Sequence, residues 1–185
     1  MAVEEDRFTT ESTTADYAIR AYAPMLVAET TVQADFDTAG SQGFRLLLDY
    51  ISGNNRAKTG PAKPAPEDQQ QPSETIAMTA PVNQVQTQRG FLIQFTMPAR
   101  ATLVSLPQPN NPLVHLRELP ARRMAVSTYR GSWSQAHYQE HRSELLAALK
   151  KDGLKVVGEP VFARFNSPFQ LWFLRRNEIA VEVAP

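Results

Sequence analysis

The stretch YAIRAYAPMLVAETTV, residues 17–32, alternates apolar and polar positions and carries several β-branched side chains. It reads as one or two strands broken near Pro24, because proline cannot donate to a strand ladder. Ninety-seven residues further on, the pattern returns. Ile19-Arg20 falls on Leu116-Arg117, Val27-Ala28 on Met124-Ala125, and Leu48 on Leu145. Each copy leads into a helical pattern. DFDTAGSQGFRLLLDYISGNN (35–55) has Asp35 or Asp37 as its cap, with Gly53 and two asparagines at its end. SWSQAHYQEHRSELLAALKKDG (132–153) has Ser132 or Ser134 as its cap and Gly153 at its close. Two strand candidates follow each helix. ETIAMTAPVNQVQTQ and GFLIQFTMPA turn near Arg89-Gly90; KVVGEPVFARF and FQLWFLRRNEIAVEV fill the tail. Two β-α-β-β units predict an α+β fold: a distorted antiparallel β-barrel built from two pseudo-symmetric repeats, with two flanking helices. Pro81 and Pro160 stand at like places in the two halves and mark where a strand enters the sheet or lies at its edge.

The chain has 185 residues, the length of one domain. The reading is a polar amino-terminal segment over 1–15, loosely held, then a single domain over 16–185. Its repeat halves cover about 16–100 and 113–185. Residues 53–75, GNNRAKTGPAKPAPEDQQQPSET, offer almost nothing to bury and read as a mobile loop. Nineteen basic and nineteen acidic residues cancel, which argues against nucleic acid as the main partner. There is no cysteine, so disulfides, thiolate metal sites and cysteine nucleophiles are excluded. No apolar run reaches the roughly 20 residues of a membrane span. The start, MAVEEDRF, has neither the basic nor the apolar region of a signal peptide, so a cytoplasmic protein is expected. Oligomeric state is not legible.

The two helices are not equivalent. With Phe36 at zero and about 100° per residue, the apolar arc of the first helix spans about 200°. A stripe somewhat over 100° suffices to pack on one sheet face. The surplus flank holds Phe44 and Leu48, with Ser41 at its edge. The second helix has an ordinary stripe of Tyr138, Leu145, Leu146 and Leu149, with Arg142 inside it. Periodicity alone favours covering the surplus with the 53–75 loop, the amino-terminal segment or a partner subunit; a ligand is the other possibility.

Other constellations are weaker. His137 and His141 have the i, i+4 spacing of helical metal ligands, but YQE between them is not a zincin pattern and no third ligand is evident. A solvated helix face is expected, and no metal site. His115 stands alone in a strand. No phosphate-cradling, dinucleotide or nucleophile-elbow motif is present, and no catalytic set is found. Arg175-Arg176-Asn177-Glu178 reads as a bulge with an internal ion pair or as a contact to an anion. Phe169 interrupts the aromatic alternation and is expected on a loop.

Several blocks together resemble the SOUL haem-binding protein family. They are Tyr17 to Tyr22 (Y-x-I-R-x-Y), Tyr50-Ile51-Ser52-Gly53-Asn54, Ile76-Ala77-Met78-Thr79-Ala80-Pro81-Val82, Phe95-Thr96-Met97-Pro98 and Arg175-Arg176-Asn177-Glu178-Ile179. The resemblance covers about residues 15–183 and implies the barrel architecture inferred above. It also implies non-covalent binding of haem or a related tetrapyrrole in an apolar groove beside the first helix. Carried over by alignment, the groove falls on Ser41, Phe44 and Leu48, with Phe91 on the facing strand and Phe169-Gln170 alongside. Departures are clear. The family's groove arginine aligns with Ser41, a helix lysine with Asp49, and the loop lysine region reads PFQL. Propionates would then pair with Arg45, Arg56 or Lys58, and no axial histidine has a counterpart.

The expected function is that of a haem or tetrapyrrole carrier or buffer rather than an enzyme. Two alternatives stay open. The fold also resembles GyrI-like effector-binding domains, which implies a general binder of hydrophobic small molecules with a carboxylate in its pocket. A tetrapyrrole-processing enzyme would need a buried, shifted acid or histidine in the groove, for which Glu144 and Glu178 are the candidates.

Overall fold

The structure, a computed structural model, describes residues 3–58, 72–166 and 169–185. Nine strands make one sheet: β1 (Phe8–Thr13), β2 (Ala18–Tyr22), β3 (Met25–Val32), β4 (Val82–Thr87), β5 (Gly90–Thr96), β6 (His115–Leu119), β7 (Arg122–Arg130), β8 (Val161–Arg164) and β9 (Arg176–Glu182). Their order across the sheet is β6-β3-β5-β4-β8-β9-β7-β2-β1, and every pairing is antiparallel. The sheet is a curled half-barrel carrying helices α1 (Phe36–Ile51) and α2 (Gln135–Lys151), the architecture that the duplication predicts.

The repeat is visible in the register. β2 and β6 begin 97 residues apart, as do β3 and β7. Each opening strand pairs with the other half: β2 with β7, and β6 with β3. The halves also join at the centre, where β4 pairs with β8. Pro81 and Pro160 stand immediately before Val82 and Val161, the first residues of those two strands, as their chemistry requires. The polar start is not loose throughout. Phe8–Thr13 adds an edge strand to β2 with every side chain exposed, so alternation gave no sign of it. The expected mobile loop over 53–75 falls mostly on 59–71, outside the described residues. Of its flanks, Asn55–Arg56 pairs with Gln108–Pro109.

The side chains on one sheet face meet the helices in two core clusters. Ala28, Val32, Ile93, Phe95 and Met97 pack against Ala39, Leu47, Tyr50 and Ile51 of α1. Ile19, Ala125, Tyr129, Phe162, Ile179 and Val181 pack against Tyr138, Leu145 and Leu149 of α2. The helices touch where Phe36 stacks on Tyr138, with ring centroids 4.8 Å apart. Gly43 lets α1 lie close: a Cβ there would stand 2.3 Å from Ile93 Cγ1. Asp35 is the α1 cap, accepting from the Thr38 amide at 2.8 Å. Ser134 caps α2, accepting from the His137 amide at 3.4 Å.

Candidate functional site

On α1 the buried residues are Phe36, Ala39, Gly40, Gly43, Leu47, Tyr50 and Ile51. They fill an arc of about 120°, the width that packing on a sheet needs. Phe44 and Leu48 lie beyond it. Phe44 is half-buried, its ring edge-on to Phe95 at 5.4 Å. Leu48 is 37 % exposed, and Ser41 and Arg45 are exposed beside them. The surplus flank is therefore left partly uncovered among the described residues. Phe91 is half-buried and contacts Phe36 edge-on at 5.8 Å, so it belongs largely to the core. Phe169 is 95 % exposed, followed by Leu171, Trp172, Phe173 and Leu174, all exposed around a short 3-10 turn.

A chain of contacts links α1 with that aromatic loop. The Arg164 guanidinium lies against Gly40, where an added Cβ would stand 1.9 Å from Nη2. It also faces the Trp133 ring at 5.4 Å and the Phe162 ring at 5.6 Å. Arg175 covers the same indole at 4.2 Å and donates from Nε to the Gln170 carbonyl at 2.9 Å. The indole N–H donates to Asn177 Oδ1 at 2.9 Å. Gly40 and Gln170 thus stand at the two ends of one run of side chains. Of the cations considered for propionates, Arg45 and Arg56 are exposed, and Lys58 donates from Nζ to the Leu103 carbonyl.

Glu178 and Glu144 lie elsewhere. Glu178 points to the sheet face opposite the helices, because its neighbour Ile179 is in the core. There it takes two hydrogen bonds from Arg20, at 2.9 and 3.3 Å, and one from Thr128 at 3.2 Å. It is an ordinary strand residue of β9, not part of a bulge. Glu144 is exposed and bonds His141 Nδ1 at 2.9 Å. The two α2 histidines are not a solvated face: His141 stacks on Tyr129 at 4.0 Å and His137 contacts the same ring edge-on. Tyr129 supplies the flat surface that the spacing alone did not reveal.

At one end of the sheet is a cavity of about 450 Å³, lined by Asp6, Met25, Leu26, Met97, Leu103 and Glu118 among others. The segment Glu4–Glu5 forms its wall by pairing with Thr79–Ala80.

Sequence reasoning missed Arg164. The signal was in VFARF: strand alternation puts Arg164 on the same face as Phe162, so a cation stands on the apolar side.

Human heme-binding protein 2 is 30% identical over 178 residues, covering 88% of this chain and 79% of that protein. Among solved structures, the C-terminal domain of EcmrR has a TM-score of 0.62 at 10% identity, covering 91% of this chain and 96% of that one. A hydrolase from Listeria innocua has a TM-score of 0.52 at 10% identity, covering 90% and 91%. At that identity the two structures speak to the fold alone. The family model for SOUL heme-binding protein matches residues 3–182, and the chain belongs to that family.

Proposed function

We propose that the chain binds haem or a related tetrapyrrole without a covalent link, acting as a carrier or buffer. Membership of the haem-binding family supports the ligand class. The observation that carries the groove is the flank of α1, where Leu48 is exposed and Phe44 half-covered beyond the arc that the sheet uses. Leaving apolar area in water is costly, at about 25 cal/mol per Å². A flat ligand with one charged edge suits that flank, with Arg45 next to Phe44 for the edge. Several hundred Å² of ligand face would contribute on the order of several kcal/mol before the costs of association.

The test is a hemin titration followed by Soret absorbance. Saturation at micromolar hemin is expected for the wild type, with affinity reduced at least about tenfold in Leu48→Asp and in Phe44→Asp. Leu48 is exposed, so its variant folds and reports the site alone. Equal binding by Leu48→Asp would remove the groove from α1.

A second reading has its own observation, the cavity of about 450 Å³ at the sheet end, which falls in the size range of small-molecule sites. A general binder of hydrophobic small molecules would use it. Hemin binding unaffected by the α1 variants but blocked by Leu103→Trp, at an exposed residue of the cavity wall, would favour that place.

A further inference from the structure

Arg164 is 8% exposed, and among the described residues no carboxylate pairs with it. Its hydrogen bond runs from Nη2 to Gln84 Oε1 at 3.0 Å, and the Gln84 amide is itself held by the Phe36 carbonyl at 3.0 Å. Among the described residues its Nε is buried without a hydrogen-bond partner. Burial of the charge pulls its pKa down to about 10. A guanidinium has five N–H donors and no way to shed its charge at neutral pH, so a buried one without an anion is held at a cost. The rings of Trp133 and Phe162 offset part of that cost. They leave Nε unmet.

The surroundings are built to hold it. Gly40 supplies the gap in α1 that the guanidinium fills. Gln84 turns its carbonyl oxygen toward the cation because its amide is used on α1. Two further buried polar atoms near the start of α2, Tyr129 Oη and His137 Nδ1, also have no hydrogen-bond partner among the described residues. Both α1 and α2 start close by, since Asp37 of α1 accepts from the Gln135 amide at 2.9 Å. Packing alone does not call for a cation at 164, because a buried charge without an anion is held at a cost.

We propose that Arg164 is an anion-binding residue, and that a carboxylate reaches its guanidinium where α1, β8 and Trp133 meet. In the haem reading, on which this second step rests, the carboxylate is a propionate of the tetrapyrrole. Ser41 replaces the basic groove side chain implied by the family resemblance, and it directly follows Gly40. Arg164 reaches α1 from the sheet side at buried Gly40, about 100° round the helix from Ser41, so the cation stands at the edge of the flank nearer the sheet.

The experiment has an arm without tetrapyrrole. The chain has two tryptophans, so Trp172→Phe leaves Trp133 as the sole indole. In that background, sodium propionate is titrated in place of sodium chloride at constant ionic strength. Trp133 emission is expected to change and saturate, and to stay flat in Arg164→Met. Arg164→Gln, which can keep the bond to Gln84, repeats the test if the methionine variant does not fold. No saturable response, or the same response in the variants, overturns the anion site whatever hemin does.

The second arm compares hemin with its dimethyl ester. The wild type is expected to prefer the free acid by about tenfold, as one charge-assisted hydrogen bond supplies. Arg164→Met is expected to bind both forms as the wild type binds the ester. Equal binding of acid and ester by the wild type overturns the propionate assignment. A propionate response with no hemin binding keeps the anion site and sinks the haem reading.

Discussion

Arg164 and Gly40 share one volume, and their coupling can be read without any ligand. Glycine inside a helix costs roughly 0.5–1 kcal/mol against alanine. Gly40→Ala should therefore stabilise α1 unless something occupies the Cβ position. The Arg164 guanidinium does, with Nη1 at 2.2 Å and Cζ at 2.4 Å from that position. In the wild type the substitution is expected to destabilise by about 1–2 kcal/mol, because a buried cation must move off Gln84. In an Arg164→Ala background it is expected to change sign and stabilise by about 0.5–1 kcal/mol. Urea midpoints for the four members of the cycle measure the difference. The same effect in both backgrounds would show that the two residues do not compete for space. A glycine inside a helical pattern signals that something comes close to it. What approaches Gly40 was not legible, since helical periodicity says nothing of the length of the side chain opposite.

Among elements, the amino-terminal segment carries the clearest electrostatic signature. Glu4–Glu5 runs parallel to Thr79–Ala80, and the Asp6 amide donates to the Ala80 carbonyl at 3.2 Å. Glu5 is held by Arg176 at 2.6 Å. The segment lies over the sheet face opposite the helices, which brings Asp6 against Arg122 and Glu178. Asp6 Oδ1 is buried with no partner. Burial pushes its pKa up to about 6, against the pull of a hydrogen bond from Thr96 and the charge of Arg122. The ionised form is thus disfavoured by folding. Above about pH 6 the carboxylate costs stability. As pH falls through that value the folded state takes up the proton first, and the cost is relieved. Near pH 4 the unfolded chain takes it up too. Asp6→Asn is expected to stabilise the fold at pH 7, by up to about 3 kcal/mol and with a raised thermal midpoint, the advantage fading toward pH 4. A constant difference across that range would mean that Asp6 does not titrate as a buried group. Helix and strand positions in this chain were legible from periodicity and from their caps and prolines. Strand β1 and the docking of Glu4–Glu5 were not, because their stabilisation comes from main-chain pairing and ion pairs.

At the scale of the whole molecule, the 97-residue repeat made the architecture legible, while the exchange within it stayed hidden. Alternation tells which face a strand buries; it does not tell which neighbour completes the ladder. β2 opens the first half yet pairs with β7 of the second, and β6 does the reverse. The α1 flank could be read from the wheel for a related reason: width of an apolar arc is a property of one element. The surroundings of Arg164 draw on α1, β4, β8 and Trp133 together, and no single element announces them. The exchange has a consequence for folding. A half over residues 16–100 lacks the β6 partner of β3, leaves β2 without β7, and exposes the β4 edge that β8 covers. The half over 113–185 is left open in the same three ways. Exposed edges of this kind favour association over independent folding. Each half expressed alone is expected to show poor amide dispersion by NMR and no cooperative thermal transition. Mixing the two is expected to restore the native spectrum. The intact chain is expected to unfold in a single transition, with circular dichroism and tryptophan emission coincident. A half that folds cooperatively by itself would show that the exchanged strands are ornaments on two self-sufficient units.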